Sequence, residues 1–381
     1  MEGESKTMSI ETAVYISIAR SKTLQEERTC GHNRWHPDII PAAEVEPGQV
    51  VGLETRDAFD GFIQRTTTAE DLQGANLGVV HPLTGPMYVK GAEPGDLLEV
   101  SIVEVEPQPF GFTVQLPGFG FLRGLFTEPY IVRWTIENGF ATSNDLPGVR
   151  IPGAPFMGVI GLAPSHELLK QINQREADLA GRGGVVLLPE AEYAIPTDEG
   201  IASNAMRTIA PHETGGNVDI KQLTKGTTIR FPVFTPGALF SVGDAHFAQG
   251  DGESCGTAVE MAATCYCSFK VLKGLASKHN IRDIQFYRED YFTTPEMAVP
   301  KRFFATTGQS FTREGVAHSE DATLAARNAL LNMIDHLVDE RGYTRQQAYA
   351  ICSVAVDLKV SELVDVPNFL VSAFLPLDIF V

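Results

Sequence analysis

Four side chains that bind metals or protons lie close together in the second half of the chain. Residues 243–253 contain Asp244, His246, Asp251 and Glu253. Asp244 and His246 are two residues apart, so on an extended backbone they point to the same side. A carboxylate oxygen and an imidazole nitrogen that meet in this way are typical ligands of a divalent cation. The residue types therefore predict a metal or acid–base site here.

The surroundings of this stretch distinguish a site from a surface turn. An acidic, glycine-rich loop is also typical of a solvated turn. Apolar runs at residues 231–240 and 258–263 flank the loop on both sides. Such flanks anchor the loop in a core, which favours the functional interpretation.

Strands are expected to dominate the elements that position this stretch. The first 135 residues are rich in alternating apolar and polar runs with Pro-Gly turns. Three helices are predicted. The first begins at Ser165, a good N-cap, the second spans residues 319–342, and the third begins at Thr344, which opens a capping box. Further strands are predicted near residues 354–360 and 369–375.

We therefore predict a β-rich α+β fold with no Rossmann pattern. Its expected parts are a β-rich N-terminal part (1–155), a central β part with the candidate loop (156–270) and a C-terminal α/β part (271–381).

Composition restricts the kind of partner. The chain has 381 residues and a formal net charge of −18. That charge disfavours nucleic acid and anionic membranes, which would repel it, and is compatible with a neutral or cationic small molecule. The five cysteines are odd in number and scattered, which indicates a reducing compartment. A cytoplasmic protein is the resulting expectation.

Several long motifs resemble one family. The central pattern G-D-x-H-F-x-Q-G-D-G-E followed by C-G-x-A-x-E is similar to that of the acetamidase/formamidase family of amide hydrolases. Other matching segments are G-H-N-R-W-H-P-D-I (31–39), H-P-L-T-G-P (81–86), K-G-A-E-P-G-D-L-L-E-V (90–100), G-G-N-V-D-I-K-Q-L (215–223) and V-D-V-P-N near 366.

The resemblance has consequences for fold and substrate. It implies a jelly-roll-like β part, a small barrel and a C-terminal α/β part, in a homo-oligomer that is a dimer or a multiple of one. It also implies short aliphatic amides, such as formamide or acetamide, as substrates. Where the family is expected to have glutamine after D-G, this chain has Phe62, which leaves room for a larger or cyclic amide.

The leading hypothesis is metal-assisted hydrolysis of a carboxamide. Asp244, His246 and His81 are the proposed ligands, with Asp57 as a possible fourth, and zinc is favoured over calcium. A zinc-like ion polarises the carbonyl and lowers the pKa of its water to about 7. Glu253 is the proposed general base.

The remaining candidates have secondary roles. Asp251 is expected to orient Glu253 or to bind the substrate NH₂ group, and His32 to line the pocket. The resemblance also favours Asp57 or Asp60, at a strand end, as part of the site.

Two alternatives stay open. In the first, Cys255, which lies two residues after Glu253, acts as the nucleophile, although acidic surroundings disfavour a thiolate. In the second, the protein is not an enzyme and its carboxylates hold a structural Ca²⁺.

Overall fold

The computed structural model describes residues 10–289 and 302–381, and strands dominate both segments. The strands in chain order are β1 (Val14–Ile16), β2 (Gly31–His32), β3 (Arg34–Trp35), β4 (Ala43–Val45), β5 (Val50–Thr55), β6 (Leu83–Val89), β7 (Leu97–Gln115), β8 (Tyr130–Glu137), β9 (Phe140–Thr142), β10 (Arg150–Pro152), β11 (Phe156–Leu162), β12 (Met206–Arg207), β13 (Pro211–His212), β14 (Gly215–Asn217), β15 (Thr228–Pro232), β16 (Phe240–His246), β17 (Glu260–Leu272), β18 (Gln285–Tyr287), β19 (Phe303–Gln309), β20 (Asp357–Glu362) and β21 (Leu370–Pro376).

The helices are fewer, and the capping residues predicted for three of them are confirmed. The Ser165 side chain accepts the N–H of Leu168, and Thr344 and Gln347 form the capping box. Gly342 ends the longest helix in the left-handed conformation that glycine favours. The helices are α1 (His166–Gly181), α2 (Glu199–Ala202), α3 (Leu275–His279), α4 (Ala322–Arg341) and α5 (Arg345–Ala355), with 3₁₀ turns at Asp71–Gly74 and Leu377–Ile379.

The prediction of a β-rich α+β fold is confirmed. Sixteen strands form one branched, mostly antiparallel sheet whose central path runs β7–β17–β16–β11. Within residues 10–289 and 302–381 these strands do not close into the barrel that the resemblance implied. A separate three-stranded sheet, β19–β21–β20, lies in the C-terminal part. The strand predicted from residue 354 starts at Asp357, because α5 continues to Ala355.

A single large core joins the sheet to the C-terminal helices. Val242, Ala245 and Met261 from the sheet belong to the same buried cluster as Leu330 of α4 and Ile351 of α5. The helix α4 packs against β19, β21 and α5, and α5 also contacts β21 and β7, so the C-terminal helices share one core with the large sheet. None of the helices in the described part of the chain is long and apolar enough to cross a membrane.

Candidate active site

The site is built on a cross-strand pair. His246 ends β16 and Glu260 begins β17, and their Cα atoms are direct partners in the antiparallel register. Directly opposed residues on one sheet face have their side chains in contact range. His246 Nε2 lies 3.1 Å from Glu260 Oε2, and both side chains are buried.

Two further ligand-type side chains join this pair. Asp244 Oδ1 lies 3.5 Å from His246 Nε2, as the two-residue spacing predicted. His81, just before β6, places its Nε2 3.7 Å from Asp244 Oδ2. The strand β6 pairs with β16, which brings His81 across from Asp244 although 163 residues separate them (244 − 81).

Asp219 and Glu253 complete the group from two loops. Glu253 Oε1 lies 3.9 Å from His246 Nε2, and Asp219 Oδ1 lies 4.0 Å from His246 Nδ1. Asp219, Asp244 and Glu253 all have positive φ angles, of 47°, 54° and 42°. Non-glycine residues rarely adopt this left-handed backbone, and where they do the strain is concentrated at functional sites.

Because Gly158 of β11 has no side chain, the cluster can pack directly against the backbone of this strand. A Cβ atom built on Gly158 would lie 2.6 Å from a ring carbon of His246 and 2.8 Å from an oxygen of both Asp219 and Asp244. Such contacts are shorter than any real Cβ tolerates, so this position requires glycine. The backbone of β11 therefore forms one wall of the cluster.

Several ligand atoms in the cluster lack a hydrogen-bond partner. Asp244 Oδ1, His246 Nε2, Glu260 Oε2 and Asp219 Oδ1 are buried and have no partner among the described residues. Native proteins rarely leave buried polar atoms in this state. Asp244, His246 and Glu260 each offer one atom within 4.8 Å of the others, as do Asp219, His246 and Glu253. Both sets fit the donor chemistry of a divalent cation.

Neighbouring side chains fix the orientation of the His246 ring. Its Nδ1 lies 3.0 Å from Gln249 Oε1, and Gln249 Nε2 donates to the carbonyl of Asp219 at 2.8 Å. An Nδ1–H that donates to Gln249 leaves Nε2 as the ligand atom, which is the usual arrangement around metal-binding histidines. The Phe156 ring packs edge-on against the imidazole, with ring centroids 5.1 Å apart.

Burial and mutual repulsion shift the pKa values of the group. Burial raises the pKa of Glu253 to about 8 and that of Glu260 to about 7. Burial and the nearby Glu253 raise the pKa of Asp219 well above its usual value. Burial lowers the pKa of His246, but Glu260 and Asp244 outweigh this effect and raise it well above its usual value.

Asp244 is the exception in the group. Burial raises its pKa, but the imidazoles of His81 and His246 outweigh burial and hold the pKa below its usual value. Without a cation, side chains with a raised pKa, such as His246 and Glu260, therefore carry protons near neutral pH. They would have to lose these protons to act as metal ligands.

An apolar cavity of about 340 Å³ leads to the cluster. Asp219, Asp244, Glu253 and Glu260 lie at its polar end. The other walls are mainly apolar, and include Phe59, Val80, Val114, Leu116, Phe119 and Ile209. A few convergent polar groups in an otherwise apolar cavity are typical of small-molecule sites.

The helix α5 supports the loop that carries Glu253. Ser353 Oγ donates to the carbonyl of Thr257 at 2.7 Å and accepts the N–H of Cys255 at 3.0 Å. The Tyr349 hydroxyl donates to the carbonyl of Ser254 and accepts the N–H of Leu122. These contacts fix the loop between β16 and β17 to the C-terminal part.

A buried lysine supports the same loop from the other side. The Lys221 ammonium contacts Asp357 at the start of β20, and lies 3.4 Å from Asp251 Oδ1. Burial raises the pKa of Asp251, while Lys221 lowers it. Asp251 thus binds a lysine in this structure, where the sequence suggested a role beside Glu253.

The structure brings together four of the residues predicted from the sequence. His81, Asp244 and His246 lie within one cluster, and Glu253 lies beside them. Asp57 is half-buried nearby and interacts electrostatically with Asp244, but its carboxylate accepts the backbone N–H groups of Phe59 and Gly61. Burial raises the pKa of Asp57 to about 6.

Three other predicted positions have different surroundings. His32 is buried, with Nε2 2.7 Å from Ser241 Oγ and Nδ1 against the carbonyl of Arg34. The Cys255 sulfur is buried against the carbonyls of Val114 and Thr257, and burial raises the pKa of its thiol to about 11. Asp60 accepts the N–H of Leu24 and pairs with Arg56.

Glu260 and Asp219 are the functional side chains whose roles the sequence did not reveal. Glu260 is the final residue of the motif C-G-T-A-V-E. The motif therefore marked Glu260 as part of the family pattern but did not indicate what this residue does. Asp219 lies in the segment 215–223 that resembles the family, but nothing in that segment predicted a ligand or proton-transfer role for it. No spacing rule connects either residue to His246.

The chain is similar to several known amide hydrolases. The gamma lactamase from Delftia acidovorans has a TM-score of 0.91 and 35% identity to this chain, and covers 97% of it and 93% of its own chain. The acetamidase of Mycolicibacterium smegmatis is 36% identical over 372 residues (89% of this chain, 88% of that protein). The formamidase of Methylophilus methylotrophus is 35% identical over 369 residues (92% and 89%). The class is that of the amidases, and the present chain is an amidase.

The family is identified by a match that covers nearly the whole chain. A profile of the Acetamidase/Formamidase family matches residues 17–381. The chain belongs to this family, as the motifs around residues 243–260 indicated.

Proposed function

We propose that this amidase hydrolyses a neutral carboxamide to a carboxylate and ammonia at the cluster around His246. The supporting observation is the convergence of three buried ligand atoms, Asp244 Oδ1, His246 Nε2 and Glu260 Oε2, which lack hydrogen-bond partners among the described residues. Asp244 and Glu260 line the cavity, and His246 lies directly behind them, so a cation held by the three would be placed to act on a small molecule that enters the cavity.

Asp244, His246 and Glu260 would hold a divalent cation, with His81 as a further ligand beside Asp244. Imidazole together with carboxylate favours zinc, whereas calcium prefers an all-oxygen set. When bound, such a cation polarises a carbonyl group and lowers the pKa of a water molecule to about 7. Asp57, close to Asp244, is the other candidate ligand.

Glu253 is the proposed general base. An amide is a poor electrophile, so water must lose a proton as its oxygen attacks the carbonyl carbon. The Glu253 carboxylate takes that proton and returns it to the nitrogen as the C–N bond breaks, an effect worth roughly 10²–10⁴ in rate. Its pKa, raised by burial to about 8, is suited to proton transfer near neutral pH. Asp219 lies close enough to Glu253 to influence its charge.

The names of the relatives and the cavity size guide the choice of substrate. The relatives are named for acetamide, formamide and a gamma-lactam. Short aliphatic amides are therefore the first substrates to test. The cavity of about 340 Å³ is larger than formamide needs, so it also admits a five-membered lactam.

Cys255 is a weaker candidate for the nucleophile. Its sulfur is buried against backbone carbonyls, and burial raises the pKa of the thiol to about 11. A thiol reacts as the thiolate, so a raised pKa disfavours attack at neutral pH. The calcium-binding alternative is disfavoured by the two imidazoles beside the carboxylates.

The location and assembly of the enzyme stay predictions. All five cysteines are free, which accords with the reducing cytoplasm expected from the sequence. A homo-oligomer, a dimer or a multiple of one, is expected from the family resemblance, and sedimentation of the purified protein would measure it.

The decisive experiment combines substrate, metal and proton transfer. Ammonia release from formamide and acetamide, and ring opening of 2-pyrrolidinone, would be measured before chelation, after chelation, and after zinc is restored. Activity that is lost on chelation and restored by zinc supports the proposed centre. Activity indifferent to chelators contradicts it and favours Cys255, while a protein inactive on every amide contradicts the proposed function altogether.

A further inference from the structure

A second apolar space adjoins the cavity that leads to the cluster. This groove has a volume of about 700 Å³. Six residues line both spaces: Leu77, Leu116, Gly118, Phe119, Val185 and Ile209. The groove therefore lies directly beside the cavity that reaches Glu253.

The lining of the groove is mostly apolar, and part of it is exposed. Beyond the shared residues it includes Leu72, Leu179 and Leu187. Val185 is 77% exposed and Leu179 is 43% exposed. Leu179 is the last large apolar side chain of α1 and touches the position of Gly184 in the following loop. Apolar side chains gathered in an exposed groove mark a surface that binds something.

The ionisable side chains that line the groove have polar neighbours. Arg207 Nη1 lies 3.2 Å from Glu190 Oε2, and His212 Nε2 lies 3.3 Å from Glu176 Oε1. Burial lowers the pKa of His212 to about 4, so its ring is neutral at pH 7 and its contact with Glu176 is not an ion pair. Because most of the groove wall is apolar, the groove suits a neutral, apolar occupant.

We propose that the groove binds an apolar substituent of the substrate, so that the enzyme prefers carboxamides with a chain of about four or more carbons over formamide and acetamide. This inference rests on the proposed function, since the reacting amide must lie at the cluster. The occupant is the substrate itself, because the groove shares six lining residues with the cavity that reaches Glu253 and so lies within reach of a chain attached to the amide. Formamide and acetamide end within the cavity and leave the groove empty.

The expected size of the preference follows from apolar burial. Each methylene buried in the groove contributes about 0.8 kcal/mol, which corresponds to roughly a fourfold gain in kcat/KM. Hexanamide has four more methylenes than acetamide, so its kcat/KM should be about 10²-fold higher. Most of this rise in kcat/KM should come from a lower KM, with little change in kcat, because the groove is remote from the reacting bond.

Two substrate series would test the proposal. Primary amides from acetamide to hexanamide carry the chain on the acyl side, and N-alkyl acetamides up to N-butyl carry it on the nitrogen side. A rise in kcat/KM with chain length in either series supports the groove and identifies which end occupies it. A flat profile in both series, with acetamide hydrolysed, overturns the inference and leaves the proposed function intact. If neither acetamide nor any longer amide reacts, both fail.

Two variants on different segments link the preference to the groove. Leu179→Glu on α1 and Leu187→Glu on the following loop each place a charge against the bound chain, and each should lower the hexanamide-to-acetamide ratio of kcat/KM at least tenfold. Val364→Glu is the matched control, since Val364 is 78% exposed on another part of the surface. The ratio should not change in this control.

A different occupant would give a different result. If a second copy of the chain covers the groove, both glutamate variants would change the sedimentation coefficient while the substrate ratio stays constant. That outcome would overturn the proposal.

Discussion

His246 Nε2 and Glu260 Oε2 lie 3.1 Å apart, yet neither atom has a hydrogen-bond partner among the described residues. The two residues face each other across β16 and β17, and Asp244 Oδ1 shares the space between them. Buried polar atoms without a hydrogen-bond partner are rare in native proteins. The cation that we propose at this cluster would give each of these atoms a partner.

Replacing Glu253 separates proton transfer from metal binding. Glu253→Gln keeps the size of the side chain but cannot accept a proton, so kcat should fall by roughly 10²–10⁴. Because Glu253 lies outside the proposed ligand set, zinc content should stay near that of the wild type. Metal content by mass spectrometry and kcat on acetamide would be measured together.

Glu260→Gln provides the matched comparison. This change weakens a proposed ligand, so both zinc content and activity should fall. If instead Glu253→Gln loses the metal and Glu260→Gln keeps it, the two roles are reversed. In that case the set Asp219, His246 and Glu253 would be the cation site.

Gly158→Ala tests whether the cluster needs the space above β11. The added Cβ would lie 2.6–2.8 Å from atoms of His246, Asp219 and Asp244. The three side chains would have to move apart, so zinc content and kcat should both fall sharply. Gly181→Ala is the control, because a Cβ on Gly181, at the end of α1, has no described atom within 4 Å. An active, zinc-loaded Gly158→Ala would show that the ligands do not converge there.

Removal of the Lys221 ammonium should destabilise the loop that carries Glu253. Lys221→Met leaves the carboxylates of Asp251 and Asp357 without their buried cation, and only the exposed Lys359 ammonium remains, 3.9 Å and 3.8 Å away. Breaking a fully buried pair costs about 3–5 kcal/mol of unfolding free energy. Because both carboxylates are partly exposed and keep Lys359, the loss here should be smaller, about 1–3 kcal/mol. Urea denaturation would measure the loss.

Lys225→Met is the control for this prediction. Lys225 is 64% exposed and pairs with Glu104 on the surface. Exposed pairs contribute about 0–1 kcal/mol, so this variant should unfold close to the wild type. Equal stability of the two variants would contradict a structural role for Lys221.

Zinc binding should release protons near neutral pH. Burial raises the pKa of Glu260 to about 7, and the neighbouring carboxylates raise that of His246. Both groups therefore carry protons below their pKa, and each must lose its proton to become a ligand. Affinity should rise with pH and fall roughly tenfold per unit for each proton displaced as pH drops below 7.

Calorimetry in buffers of different ionisation enthalpy would count these protons. At pH 6.5 the apo-enzyme should release roughly one to two protons per zinc bound. A count of zero would mean that the proposed ligands are already deprotonated, or that zinc binds elsewhere.

Cys255→Ala should leave catalysis almost unchanged. The thiol packs against the carbonyls of Val114 and Thr257, so its loss should cost about 1 kcal/mol of stability through packing. The value of kcat should stay within about threefold of the wild type, because a buried thiol with a raised pKa is a poor nucleophile. Complete inactivation with a normal melting temperature would restore the cysteine mechanism.

Local sequence patterns predicted the elements that short-range chemistry controls. Ser165, Thr344 and Gly342 act as helix caps because each contact needs only neighbours within a few residues. The spacing of Asp244 and His246 predicted that the two side chains meet, and they do, although Asp244 itself adopts a left-handed backbone that the extended-strand argument did not foresee. The motifs also identified the family, through residues spread over nearly the whole chain.

Only the tertiary structure decided how the site is completed. Glu260 meets His246 because β16 and β17 pair in one register, and a shift of one residue would turn Glu260 to the other face. Asp219, His81 and Gly158 come from loops and strands far away in the chain, and their meeting depends on the order of strands in the sheet. The raised pKa values of Glu253 and Glu260 arise from burial. The sequence by itself thus determined the family and predicted three of the four proposed ligands, Asp244, His246 and His81, whereas long-range pairing and burial decided the position of the fourth, Glu260, and the charge state of the cluster.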